Sequence, residues 1–205
     1  MALTFSLSTL IDESIDLKAG LLVHLTGLTA NQITEFNNTW GELSETRKYE
    51  IITRLNDLTE NNLELDFSAI FRSCLRDGNA LIREQATKGL WEHDDRIIIQ
   101  PLVKLLTEDI CPSVRVAAAE SLGRFAFMAQ EDKLSDRDVE RVRDALFQAF
   151  DHDRDIDVSL RAFESLACFN TKRTDQMIID AYTSGDVSRK RSAIYAMGRT
   201  SNPRW

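Results

Sequence analysis

The chain has 205 residues, 43% of them hydrophobic, and a formal net charge of −8. That length and apolar content suffice for a sizeable core, and the apolar runs are short and interrupted by charge, which excludes a transmembrane span. The acidic balance argues against a nucleic-acid groove, which needs concentrated Lys and Arg. Residues 171–205 are the exception, with seven Lys/Arg against three Asp, and this asymmetry reads as a solvated helix face.

The opening MALTFSLSTLIDES has no positively charged leader pattern, since acidic residues come directly after its apolar run. Leu7, Leu10 and Ile11, then Leu17, Leu21, Leu22 and Leu25, predict short amphipathic helices broken near Gly20 and Gly27. Thr29, with Gln32 three residues on, predicts a capping box before a helix carrying Ile33, Phe36 and Trp40. Ser44 predicts the next cap, ahead of a buried stripe of Tyr49, Ile52, Leu55 and Leu58. Residues 1–62 read together as an N-terminal helical cap that covers the end of a stack of repeats.

From Leu65 onward the predicted helices come in pairs. The first of each pair is strongly apolar: Phe67 to Leu75, Ile98 to Leu106, Val139 to Phe150, and Met177 to Tyr182. An acidic turn comes after each, and then a helix centred on alanine. Those second helices share one register: Ile82–Ala86–Leu90, Val114–Ala118–Leu122, Val158–Ala162–Leu166 and Arg189–Ala193–Met197. The alanines recur at intervals of 32, 44 and 31 residues, the range of a helical solenoid period. The long interval predicts an inserted loop over Ala126–Asp138, projecting from an edge, with Ser135 capping the helix after it.

The turn acid with V-R-x-x-A-x-x-x-L-G after it, clearest in Asp109 and Val114–Gly123, resembles a HEAT repeat of the phycobilisome lyase-like subtype. The resemblance spans roughly residues 65–200. Copy one departs from it with Trp91 in place of Gly, copy three lacks the Arg, and copy four has Arg189 at the core aliphatic position. It implies an all-α, right-handed α-α superhelix whose second helices line the concave face. Residues 63–205 would be repeats that continue past the chain end, where Asn202-Pro203-Arg204-Trp205 opens another unit.

The candidate chemistry is thin. The repeated basic residue (Arg83, Arg115) fits an internal ladder with the turn acids Asp77 and Asp109 better than a ligand site. Asp151–Asp157 alternates acids like a calcium loop, but Ile156 stands where Gly is needed and Ala162 where the bidentate Glu is needed. His24, His93 and His152 lie repeats apart, and Cys74, Cys111 and Cys168 lack metal or disulfide spacing, so free thiols in a reducing cytoplasm are expected. No catalytic, cofactor or metal residue emerges.

Surface rows can still be ranked. Fixing the core register puts Glu84, Val116, Leu160 and Arg191 outward, beside Gln85, Ala117, Arg161 and Ser192. The next row is Lys88, Glu120, Glu164 and Tyr195, and the third is Glu92, Arg124, Cys168 and Arg199. Trp91 either fills the gap between cap and first repeat or contacts a partner. The expected reading is a non-enzymatic scaffold that binds a protein or peptide through Trp91, Lys88, Val116, Glu120, Leu160, Glu164 and Tyr195, with no nucleic acid, membrane or cofactor. Self-association through an open C-terminal repeat would close the stack. A bilin lyase-like or other prosthetic-group-handling subunit, implied by the repeat subtype, stands behind this reading. A HEAT-like DNA glycosylase stands behind that, disfavoured by Glu84, Glu120 and Glu164.

Overall fold

A computed structural model describes residues 2–62, 64–200 and 202–205, with side chains described from Leu7 onward. Among the described residues there are twelve α-helices and no strand. The chain forms two compact units, one ending at Leu90 and the other starting at Trp91.

The first unit holds α1 (Ala2–Ile11), α2 (Ala19–Leu22), α3 (Ala30–Glu42), α4 (Glu45–Asn61), α5 (Ser68–Cys74) and α6 (Ala80–Lys88). Leu10, Leu17, Leu22, Leu25, Phe36, Ile51, Ile52 and Leu55 form its core. The helix start signals are where the sequence puts them. Gln32 accepts hydrogen bonds from the Thr29 backbone N–H and hydroxyl (2.9 and 2.8 Å), and Ser44 caps α4 by accepting from Arg47 N–H.

Two local expectations fail here. Gly20 lies inside α2. The chain breaks earlier, at Asp12, whose carboxylate accepts from both the N–H and the hydroxyl of Ser14, an Asx turn that competes with helix. Tyr49 is exposed, and Ile51 takes its place in the α4 core. The neighbouring Arg47 is buried against the irregular 12–15 segment. Its guanidinium donates to the carbonyls of Leu10, Asp12 and Ile15 at 2.8–3.2 Å, satisfying groups that burial would otherwise penalise. Gly27 adopts φ +60°, and its N–H donates to Asp66 O at 2.7 Å, a left-handed turn that favours glycine.

The second unit holds α7 (Ile99–Glu108), α8 (Pro112–Gln130), α9 (Asp136–His152), α10 (Ile156–Leu166), α11 (Lys172–Thr183) and α12 (Val187–Arg199). First helices lie against first helices (α7 on α9), and second helices against second helices (α8 on α10, α10 on α12). The register alanines explain that closeness: Ala118, Ala162 and Ala193 are fully buried, as is Ala86 in the first unit. Ser165 adds a hydroxyl bond across the stack to the Ala119 carbonyl, 2.9 Å. Gly123 is required by space, since a Cβ there would sit 2.7 Å from Ser165 Oγ.

The long repeat interval is not a projecting loop. Helix α8 runs through Gly123 to Gln130, and after a short turn α9 starts at Asp136, capped by Ser135. The extra residues lengthen both helices because Ala126 and Met128 find buried positions, next to Phe125. Gly123 does not end the helix.

Each turn between paired helices is closed by similar local bonds, and within the second unit one arginine ties two turns together. Asp77, Asp109 and Asp153 each accept from the N–H two residues on, at 2.9 Å. Arg83 and Arg115 reach back to the carbonyls of Asp77 and Asp109 (both 2.9 Å), and Arg83 also to that of Gly78. These bonds go to backbone oxygens, not to those turns' carboxylates. Arg115 also holds the Asp153 carboxylate of the next turn with two bonds of 2.7 and 2.8 Å. In the third copy Ser159 donates to Phe150 O instead. Within the calcium-like stretch Asp155 caps α10.

Burial predicts the behaviour of the thiols. Cys74 and Cys168 are buried, and burial pushes the Cys74 thiol up to about 12 despite its Ser73 neighbour, whereas Cys111 is partly exposed. Titration of the native protein with Ellman's reagent at pH 8 is expected to show one fast thiol, lost in Cys111→Ser, and two that react only on denaturation.

Candidate functional site

A pocket of about 680 Å³ opens in the second unit. Its wall runs along one face of α8. Glu120, Arg124 and Phe127 stand at positions i, i+4 and i+7 and therefore point the same way, with Gln130 a turn further on. Trp91 and Glu92, in the turn ahead of α7, form a second side. Gly198, Arg199 and Thr200, at the end of α12, form the third. Trp91 is 58% exposed and Phe127 40% exposed, so two aromatic rings meet solvent beside two guanidinium groups.

Arg199 is held in place by neutral acceptors. It donates to Gly123 O (2.8 Å), Cys168 Sγ (3.5 Å) and Tyr195 OH (3.4 Å). Its charge has no carboxylate partner among the described residues, and neither has that of Arg124. The pocket acids differ from each other. Glu120 is engaged by Arg161 at 3.1 Å, while Glu92 is exposed.

Beside the pocket a polar chain crosses three second helices. Arg161 on α10 bonds both Glu120 on α8 and Glu164 on its own helix, and Ser192 on α12 donates to Glu164. Glu164 is thereby buried, at 5% exposure, with both oxygens satisfied, as a buried carboxylate must be.

Residues 68–136 match the family described as HEAT repeats. Over that stretch the chain is similar to HEAT repeats. No curated protein matches it. Among solved structures, an engineered protein known from a crystal structure is similar over 96% of this chain and 99% of its own, at 14% identity and a TM-score of 0.54. That likeness speaks for the fold, an all-helical solenoid of stacked pairs.

The sequence-predicted residues divide. Trp91 and Glu120 line the pocket. Tyr195, 52% exposed, stands next to it through its bond with Arg199. Lys88 is exposed on α6 and paired with Glu84, and Val116 is half-buried. Leu160 and Glu164, expected on open rows, are buried, and so is Cys168. The reason is the stack itself: α10 lies between α8 and α12, so parts of its outward face are covered by helices distant in sequence. The residues passed over as site candidates are Glu92, Arg124, Phe127, Gln130 and Arg199. Three members of the third predicted row, Glu92, Arg124 and Arg199, are the ones that converge. Phe127 and Gln130 come with the helical extension hidden in the 44-residue interval.

Proposed function

We propose that this chain is a non-catalytic scaffold that binds a protein or peptide segment, and that the segment seats in the α8 pocket. The observation that carries this reading is the pair of solvent-facing rings, Trp91 and Phe127, set beside two arginines in a recess of about 680 Å³. Trp and Arg dominate interface energetics where they are concentrated in a concave site. The size falls within the ~300–1,000 Å³ of ordinary ligand cavities, enough for a few side chains rather than an extended duplex. The other polar groups nearby are spent on one another, in the Glu120–Arg161–Glu164–Ser192 chain, which suits a rigid wall more than proton transfer.

The test is a displayed peptide library panned on the intact chain, with the Trp91→Ala variant as counter-target. Trp91 is mostly exposed, so the variant is expected to keep its helical circular dichroism. Selected peptides are expected to lose at least ~10-fold in affinity by calorimetry, the lower range of a hot-spot truncation. A library that yields no binder, or only binders indifferent to Trp91 and Phe127, would count against the pocket as the binding site.

A further inference from the structure

We propose that the α8 pocket selects acidic peptide segments, those in which an Asp or Glu neighbours a large apolar residue, with Arg124 and Arg199 receiving the carboxylate and Trp91 and Phe127 the apolar side chain. This rests on the preceding reading of the pocket as a peptide site and names what the peptide must carry.

Two positive charges are left over at the pocket. Elsewhere in this unit Arg115 is taken by Asp153, Arg161 by Glu120 and Glu164, and Arg173 by Asp151. Arg124 and Arg199 line the pocket, and neither meets a carboxylate among the described residues. A guanidinium that is half-buried against a carbonyl, a thiol and a phenol keeps its charge but gains no counter-ion, an arrangement that costs desolvation energy unless an anion arrives. Its three bonds also fix the group in place, so little side-chain entropy is lost when a carboxylate binds. Arginine's planar fork favours a carboxylate with two parallel bonds. The rings beside it supply apolar area for the neighbouring side chain.

A nucleic acid would bring anions too, but it fits less well. Glu92 and Glu120 line the same pocket, and the chain as a whole carries −8, so a phosphate backbone running past the pocket meets repulsion. A single carboxylate confined between Arg124 and Arg199 does not. Glu92, at the rim, further disfavours peptides with a run of acids, which restricts the match to one or two.

The experiment compares two synthetic hexapeptide pools that differ at one fixed pair: Leu-Asp, Leu-Glu, Phe-Asp and Phe-Glu in the first, and the Asn and Gln isosteres in the second. Binding to the full chain is read by fluorescence anisotropy at low and at moderate salt. The acidic pool is expected to bind about 10-fold more tightly, with the advantage shrinking at higher salt. In Arg124→Met, which keeps the aliphatic stem and removes the charge, the preference is expected to fall to within about twofold while the amide pool is unchanged. Trp91→Ala is expected to weaken both pools alike. Equal binding of the two pools, lost in Trp91→Ala, overturns the acidic selection and leaves the peptide site standing. Absence of binding by either pool overturns both. An oligo(dT) 20-mer that displaces the acidic pool at comparable concentration overturns the proposal in favour of a nucleic-acid ligand.

Discussion

Replacing Phe125 by alanine is expected to lower the unfolding free energy by roughly 3–5 kcal/mol, the range for truncating a fully enclosed aromatic. Phe127→Ala, two residues on, is expected to cost about 1 kcal/mol or less, because its ring is 40% exposed. Urea titrations monitored by circular dichroism give both numbers. The contrast depends on α8 continuing without interruption past Gly123. Were the helix to end at Gly123 and the chain to project as a loop from there, the two rings would be equivalent and both changes mild. Similar losses at the two positions would therefore contradict the helix geometry of this segment, and with it the way Phe127 reaches the pocket.

The second large effect is expected at Asp153. Burial alone raises its carboxyl, but the hydrogen bonds from Arg115 and from the backbone N–H groups of Asp155 and Arg154, with the Arg115 charge, outweigh that and hold it below its ordinary value of 3.8. A carboxyl depressed on folding stabilises the native state above the unfolded value, and the contribution is lost as pH falls through the folded one. Asp153→Asn should therefore cost roughly 2–3 kcal/mol at neutral pH. That is somewhat below the ~3–5 kcal/mol for breaking a fully buried pair, since Arg115 keeps 15% exposure. The gap between the two proteins should narrow as pH drops below 3.8. Stability curves at neutral and acidic pH check the sign. A penalty that stays constant across that range would mean that the charge of Asp153 contributes nothing and that its shape alone matters.

The solenoid was readable because its signal is local and repeated. Ala86, Ala118, Ala162 and Ala193 occupy one register, and each is fully buried. Caps were equally legible at Thr29, Ser44 and Ser135, where a side chain and a backbone N–H lie within three residues. What escaped is what depends on neighbours remote in sequence. Glu164 looks like a surface acid on its own helix, yet Ser192, 28 residues on, and Arg161 close over it. Tyr49 and Ile51 compete for the same core stripe, and only the packing decides. Arg199 joins Arg124 in the pocket through a helix end 75 residues away, which a single-helix register cannot bring together. Composition also misled. The charged stretch from Glu131 to Asp138 reads as loop, and it drew the preceding Ala126–Gln130 with it, though those five residues favour helix and two of them are buried.

The lengths of α8, α10 and α12 have an architectural consequence. At 1.5 Å per residue, the 19 residues of α8 reach about 28 Å, while the 11 of α10 reach about 16 Å and the 13 of α12 about 20 Å. The longest beam in the row therefore overhangs its neighbours, and the overhang carries Phe127 and Gln130. The fastening that sets the spacing of the row, Arg115 with Asp109 and Asp153, lies at the opposite end of the same helix. A ledge remote from its fastening can change its outer side chains without disturbing the joinery. Altering residue 127 is thus expected to reshape the recess while the scaffold behind it stays as it is.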